Sequence, residues 1–265
     1  MMLKDKVAVI YGAGGAIGSA VARAFANEGA HVFLTGREHA PLEAIAKDIV
    51  SAGGLGDAAQ VDALDERAIE QHLERVMDRA SRIDISFNAV GIPNAKILGV
   101  PLLDLELTQF ALPISAYTTS YFLTSRLAAR RMIKNNAGVI MTLSAIPGRT
   151  GTPSNGGYGV AMAAKEALTR DLSVELAPHG IRVVCLRPNG MPETAMIKDL
   201  FTIKANAIGN AMTWEGFQQY LANWTHSRRI MKMEELVNCA VFAASDKASG
   251  MTGTTVNLTM GGVAD

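Results

Sequence analysis

An unbroken apolar run, Val7 to Tyr11, leads directly into Gly12-Ala13-Gly14-Gly15-Ala16-Ile17-Gly18, and the residues from Ala16 to Glu28 then carry apolar side chains at helical spacing. A strand, a glycine-rich turn and a helix in immediate succession constrain the fold more than any other feature. Such a turn brings bare backbone N–H groups to the positive end of a helix, where a pyrophosphate can meet them without interference from a Cβ. A strict G-x-G-x-x-G would need its third glycine at position 17, which holds Ile17, so that fingerprint fails by one residue. Taken alone, the segment also fits a structural turn with no ligand.

The pattern continues along the chain. Apolar strand-like runs recur at His31 to Thr35, at a weak segment ending near Val61-Asp62, and at Ile83 to Phe87, Val139 to Leu143, Ile181 to Leu186 and Thr255 to Leu258. Helix-period stretches separate them, including one from Leu42 to Val50 and a long one, whole or broken, from Asp104 to Asn135. Seven short strands alternating with helices predict an α/β fold, a Rossmann-like doubly wound parallel sheet, with residues 1–265 as a single domain. The stretch from Met191 to Arg229 carries Met196, Phe201, Trp214, Phe217, Tyr220 and Trp224 after a strand's carboxyl end, and is expected to form an apolar lid over a substrate pocket or helices that pack on the domain.

Charge narrows the function. The 25 basic residues balance 25 acidic ones, so no overall field favours nucleic acid or an anionic membrane. No apolar run approaches the roughly 18 residues that span a bilayer, and the start, Met-Met-Leu-Lys-Asp-Lys, lacks a signal-peptide pattern. Cys185 and Cys239 sit in apolar segments and read as reduced core thiols, which implies a cytoplasmic protein. The five histidines show no ligand spacing, so metal catalysis is not expected.

The second strand ends Leu34-Thr35-Gly36-Arg37, with no acid where a ribose 2′-hydroxyl would need an acceptor. The Arg37 guanidinium fork suits a 2′-phosphate instead, which favours NADP(H) over NAD(H). Together with Val61-Asp62, Asn88-Ala89-Val90-Gly91, the run Leu168 to Val183, Thr252-Gly253 and Gly261-Gly262, these motifs identify the chain as a member of the short-chain dehydrogenase/reductase family over nearly its whole length. Gly12 and Gly18 match the main branch's T-G-x-x-x-G-x-G, and Gly12, Gly15 and Gly18 match the extended branch's T-G-x-x-G-x-x-G, whereas Tyr11 replaces the threonine. The resemblance assigns cofactor contacts to Gly12, Gly14, Gly15, Ile17, Gly18, Arg37, Asp62, Ala63, Asn88, Ala89, Gly91, Tyr158, Pro188 and Gly190. It also implies a homo-oligomer, tetramer or dimer, built through the two long helices and the C-terminal strand.

In that family a Tyr exchanges a proton with a carbonyl or alcohol, a Ser holds the substrate oxygen, a Lys holds the nicotinamide ribose and lowers the Tyr pKa, and an Asn completes a relay. Tyr158 occupies the Tyr position, but the Lys position four residues on is Met162, the Ser position is Ala145 and the Asn position is Tyr117. Ser144 is adjacent to the Ser position and can replace it only where the strand has already turned into its loop. Lys165, seven residues after Tyr158, lies within ~20° of it around a helix and ~10.5 Å along the axis. It is a candidate replacement amine or else a surface or interface lysine. Without an ammonium neighbour Tyr158 keeps a pKa near ~10, which suits proton donation better than abstraction. The reading is an NADP(H)-dependent oxidoreductase that reduces a carbonyl or related small apolar substrate, with Tyr158 as proton donor and Ser144 as the candidate second catalytic group. The competing readings are a non-redox isomerase, lyase or cyclase and a dinucleotide-binding protein without turnover.

Overall fold

The structure, a computed structural model, describes residues 1–93, 97–207 and 212–264. Seven strands, β1 (Val7–Tyr11), β2 (His31–Gly36), β3 (Leu55–Gln60), β4 (Ile85–Asn88), β5 (Gly138–Leu143), β6 (Ile181–Pro188) and β7 (Thr254–Leu258), form one parallel sheet in the order β3-β2-β1-β4-β5-β6-β7. Among the described residues eight α-helices surround it: α1 (Ala16–Asn27), α2 (His39–Ser51), α3 (Glu66–Ala80), α4 (Leu107–Met132), α5 (Tyr158–Leu176), α6 (Ala195–Ala207), α7 (Trp214–Asn223) and α8 (Met233–Ala244).

The strand pleat sends alternate side chains to opposite cores. Ala8 and Ile10 of β1 join Val21, Ala22 and Phe25 of α1, Leu42, Ile45 and Ile49 of α2, and Leu236 and Ala240 of α8. Val7, Val9 and Tyr11 face the other way, into Ile69, Leu73 and Val76 of α3, Tyr121 and Leu127 of α4, and Leu172 and Leu176 of α5. A strand covered on both faces has no polar side to show, which is why β1 reads as a continuous apolar run and all five of its residues are buried. The weakly patterned third strand is β3, at the sheet edge with β2 as its one partner, and Leu55 there is exposed. Its last residue is Gln60, so Val61 and Asp62 lie just beyond it.

The order reverses between β1 and β4, so the loops after these strands diverge and leave a crevice at their carboxyl ends. The long segment from 104 to 135 resolves into one 26-residue helix, α4, with Pro113 inside it, and a short 3₁₀ turn, Ile133–Asn135. The segment after β6 forms α6 and α7, whose aromatic side chains pack in series: Phe201 on Trp214 with centroids 5.1 Å apart, Trp214 on Phe217 at 5.9 Å, and Tyr220 on Trp224 at 6.1 Å. Ile203 of α6 lies against Gly99 of the loop after β4, and Ile197 lies against Gly190 at the end of β6. The pair therefore sits at the carboxyl edge of the sheet. Among the described residues no helix is long and apolar enough to cross a membrane.

Candidate active site

The turn after β1 is held by its own backbone. Ala13 N–H donates to Thr35 O at 2.9 Å and Gly15 N–H to Gly12 O at 3.1 Å. Gly12 has φ +73°, and a Cβ there would lie 2.7 Å from the Ala89 carbonyl oxygen, so a side chain would force apart the loops that follow β1 and β4. A Cβ on Gly18 would run into the Gly12 carbonyl, so the first turn of α1 packs directly on the loop. Gly15 is the N-cap of α1 and supplies no side-chain cap. The first N–H groups of that helix, on Ala16, Ile17 and Gly18, have no intrahelical acceptor and are open to an anion.

The other cofactor candidates surround this turn. Arg37 is exposed just past β2, and its carbonyl accepts a hydrogen bond from Gln60 Nε2 at 2.9 Å. Asp62 is exposed beyond β3, where its carboxylate accepts Leu64 N–H, and Ala63 is buried beside it. Asn88 is buried at the end of β4, donating to Thr124 Oγ1 at 3.1 Å and accepting Val90 N–H, while Ala89 N–H donates to Tyr11 O. Gly91 is exposed on the same loop, and Pro188 and Gly190 close the row at the end of β6. A Cβ on Gly14 would make ordinary contact with Pro41 and Leu42 of α2. These residues fit a dinucleotide: two glycines that tolerate no Cβ, an uncapped helix start and a guanidinium stand along one rim. Met162, one helical turn after Tyr158, is buried in the cluster beside it and offers a thioether there.

Tyr158 opens α5. Gly157 before it packs so tightly on Phe110 O and Pro113 of α4 that a Cβ would overlap the carbonyl, which brings the two helix starts together at Tyr158. Around the phenol, Tyr117, Ala161 and Met162 form a small buried cluster with Ile92, Ile114, Ala145 and Tyr158 itself packed on it. The Tyr117 and Tyr158 rings meet edge to face, with centroids 5.7 Å apart and planes at 72°. Loss of solvation, with the neighbouring Tyr117 adding to it, raises the Tyr158 pKa well above the ordinary tyrosine value. The phenol is therefore neutral across the physiological range, a stronger bias than the unperturbed value expected from sequence.

Ser144 follows the end of β5 with its hydroxyl on Glu166. Its N–H still donates to Leu186 O, continuing the ladder of β5 and β6, so the strand has not yet turned. Its hydroxyl points to Glu166 Oε1, 2.7 Å away, while the next residue, Ala145, packs against the Tyr158 cluster. Glu166 in turn accepts Arg187 Nε at 2.7 Å and Nη2 at 2.8 Å, a buried ion pair that joins α5 to β6 beside the rim.

Sequence reasoning left Lys165 as a replacement amine on the Tyr158 face of the helix or as a surface or interface lysine, and the surface reading does not hold. The residue is 1% exposed. Its ammonium lies 5.5 Å from the Tyr117 ring centroid and 5.8 Å from that of Tyr121, and burial lowers its pKa to about 8. The aromatic contacts and the Ser144-Glu166-Arg187 network were missed. Their signal was polar residues at core-facing positions of α5, where 162, 165, 166, 169, 172, 173 and 176 are all buried. Among the described residues no cluster of three or more His, Cys, Asp or Glu is placed to hold a metal ion.

Comparison with known proteins agrees with this architecture. Residues 12–262 match the family described as enoyl-(acyl carrier protein) reductase. The chain is 30% identical to an uncharacterized oxidoreductase, YxbG, of Bacillus subtilis over 95% of this chain and 88% of that protein, and 27% identical to 7alpha-hydroxysteroid dehydrogenase of Escherichia coli over 99% and 96%. Among solved structures, sorbitol-6-phosphate 2-dehydrogenase SrlD of Erwinia amylovora superposes with a TM-score of 0.88 at 29% identity, covering 97% of this chain and all of that one. An NAD+-bound xylitol dehydrogenase superposes with a TM-score of 0.90 at 26% identity, covering 98% and 100%. With the seven-stranded parallel sheet, the glycine cradle and Tyr158 in place, the chain belongs to the short-chain dehydrogenase/reductase family of oxidoreductases that bind nicotinamide dinucleotides.

Proposed function

We propose that the chain is an NADPH-dependent reductase of a carbonyl or related small apolar substrate, with Tyr158 as the proton donor. The observation that carries this reading is the setting of Tyr158, a phenol kept neutral among Tyr117, Met162 and Ala145 with no ammonium beside it among the described residues. A neutral phenol can give a proton to an oxygen that is gaining negative charge and is a poor base for an alcohol proton. The bound cofactor supplies the hydride. Gly12, Gly15 and the α1 start hold its pyrophosphate, Arg37 takes the 2′-phosphate, and Asp62, Asn88, Pro188 and Gly190 line the remaining rim. The walls near Tyr158 are apolar, and α6 and α7 with their aromatic series form the lid that excludes water.

A second copy of the chain would cover Leu112, Phe122, Val160 and Val174, exposed apolar residues on α4 and α5, which supports a homo-oligomer, a tetramer by family resemblance. Two free thiols, Cys185 and Cys239, suit a cytoplasmic setting. Titration of NADPH fluorescence tests the cofactor assignment, and loss of reduced-nicotinamide absorbance across a panel of ketones and aldehydes tests turnover, with Y158F as the control. Comparable initial rates of reduction and oxidation at neutral pH would refute the directional argument. Binding without turnover on any substrate would refute the reductase reading itself.

A further inference from the structure

Lys165 is the group whose placement the proposed chemistry leaves unused. An ammonium that is 1% exposed normally sits against a carboxylate, yet no carboxylate among the described residues pairs with this one. The neighbouring Glu166 is taken by Arg187 and Ser144. The cation lies instead on the faces of Tyr117 and Tyr121, where the ring quadrupoles attract it. Both tyrosines are themselves anchored. Tyr117 Oη accepts Ile92 N–H at 3.4 Å, and the Tyr121 hydroxyl shares a hydrogen bond of 3.0 Å with Thr169, one turn after Lys165 on α5. Tyr117 then makes the edge-to-face contact with Tyr158. A continuous chain of contacts thus runs from the buried amine to the reacting phenol.

We propose that Lys165 is a positioning residue for the reaction: its ammonium, held between Tyr117 and Tyr121, fixes Tyr117 in the contact that orients the Tyr158 phenol, and loss of its proton releases that brace. The inference rests on the reading of Tyr158 as proton donor. It differs from direct ammonium assistance, because the lysine acts through a ring on another helix and touches neither substrate nor cofactor.

The surroundings make the switch assignable. The groups set against Lys165 are Tyr117 and Tyr121 from α4 and Cys185 from β6, while the next residue on its own helix, Glu166, is held by Arg187. Burial pushes the Cys185 thiol up to about 11 and raises both Tyr121 and Tyr158 above the ordinary tyrosine value. Lys165, lowered to about 8, therefore titrates well before those three.

The test compares wild type, K165M and K165R in NADPH-driven carbonyl reduction across pH, alongside near-ultraviolet circular dichroism of the tyrosines. In wild type kcat should fall roughly tenfold as pH rises through the lysine ionisation, with KM for NADPH unchanged, because displacing a positioned group by a fraction of an ångström costs that order of rate. K165M should be roughly tenfold slower at neutral pH and flat through that range, and K165R should keep the rate and move the alkaline limb upward. The dichroism should show a wild-type transition near the same pH that K165M lacks. A wild-type spectrum without that transition, or a K165M profile that keeps the wild-type limb, overturns the proposal. Should no carbonyl be reduced, the reading of Tyr158 fails, while the dichroic transition still decides whether the brace exists.

Discussion

Replacing Lys165 by methionine should make the protein more stable even as it slows the reaction. Burial lowers the lysine pKa from 10.5 in the unfolded chain to about 8 in the fold, a difference of roughly 2.5 units. At about 1.4 kcal/mol per unit, keeping the charged amine inside costs about 3 kcal/mol. The two tyrosine faces return about 1–2 kcal/mol of this, leaving a net penalty on the order of 1–2 kcal/mol. The sign follows from proton counting. Between about pH 8 and 10.5 the unfolded chain holds the proton and the folded chain does not, so stability rises with pH across that window. Below it both states are protonated and the whole penalty is present. Methionine has nearly the same length, no charge and the flexibility to fill the same space. K165M should therefore gain about 1–2 kcal/mol at neutral pH, and the gain should vanish as pH passes the ordinary lysine value. Urea titrations of both proteins at a fixed protein concentration, repeated across pH, give the two curves. A variant less stable than wild type at neutral pH, or a gain that does not change with pH, would refute the reasoning.

Three further outcomes follow from the geometry. R37A should weaken NADPH binding roughly 10- to 100-fold while leaving NADH binding unchanged, the worth of a charge-assisted hydrogen bond to the 2′-phosphate; fluorescence titration with each cofactor reads the difference, and an equal loss for both would remove Arg37 from the site. R187M should cost about 3–5 kcal/mol because it strands the buried Glu166 carboxylate, and the double variant E166M/R187M should recover most of that in urea unfolding, whereas additive losses would deny the pairing. M162K restores an ammonium one helical turn from Tyr158, lowers the phenol pKa and should raise alcohol oxidation at alkaline pH at least roughly tenfold over wild type; an oxidation rate that stays at the wild-type level would show that the lysine position is not what sets the direction.

What the sequence made legible divides along a physical line. The sheet could be read because a parallel strand covered on both faces leaves an apolar run, as in β1 and in Val183–Leu186 of β6, and because Gly12 and Gly18 mark places where the backbone comes too close for a side chain. The proximity of Met162 to Tyr158 could be read because helical spacing alone relates 158 to 162. Ser144 and Ala145 could not be resolved in that way, since the direction of each depends on whether the ladder with β6 continues for one more residue, and the Leu186 carbonyl decides it. Lys165 and Glu166 are harder still. Their partners, Tyr117 and Arg187, sit 48 and 21 positions away on other elements and meet them only when α4, α5 and β6 are packed. A polar residue at a core position of a helix announces that a partner must exist and does not say where. In α5 two such residues stand side by side, one answered by an ion pair that ties the helix to the sheet and the other by aromatic faces that lead to the phenol. A charge kept buried at a net cost to stability, one aromatic ring away from Tyr158, is the arrangement expected where that charge is held for the reaction and not for the fold.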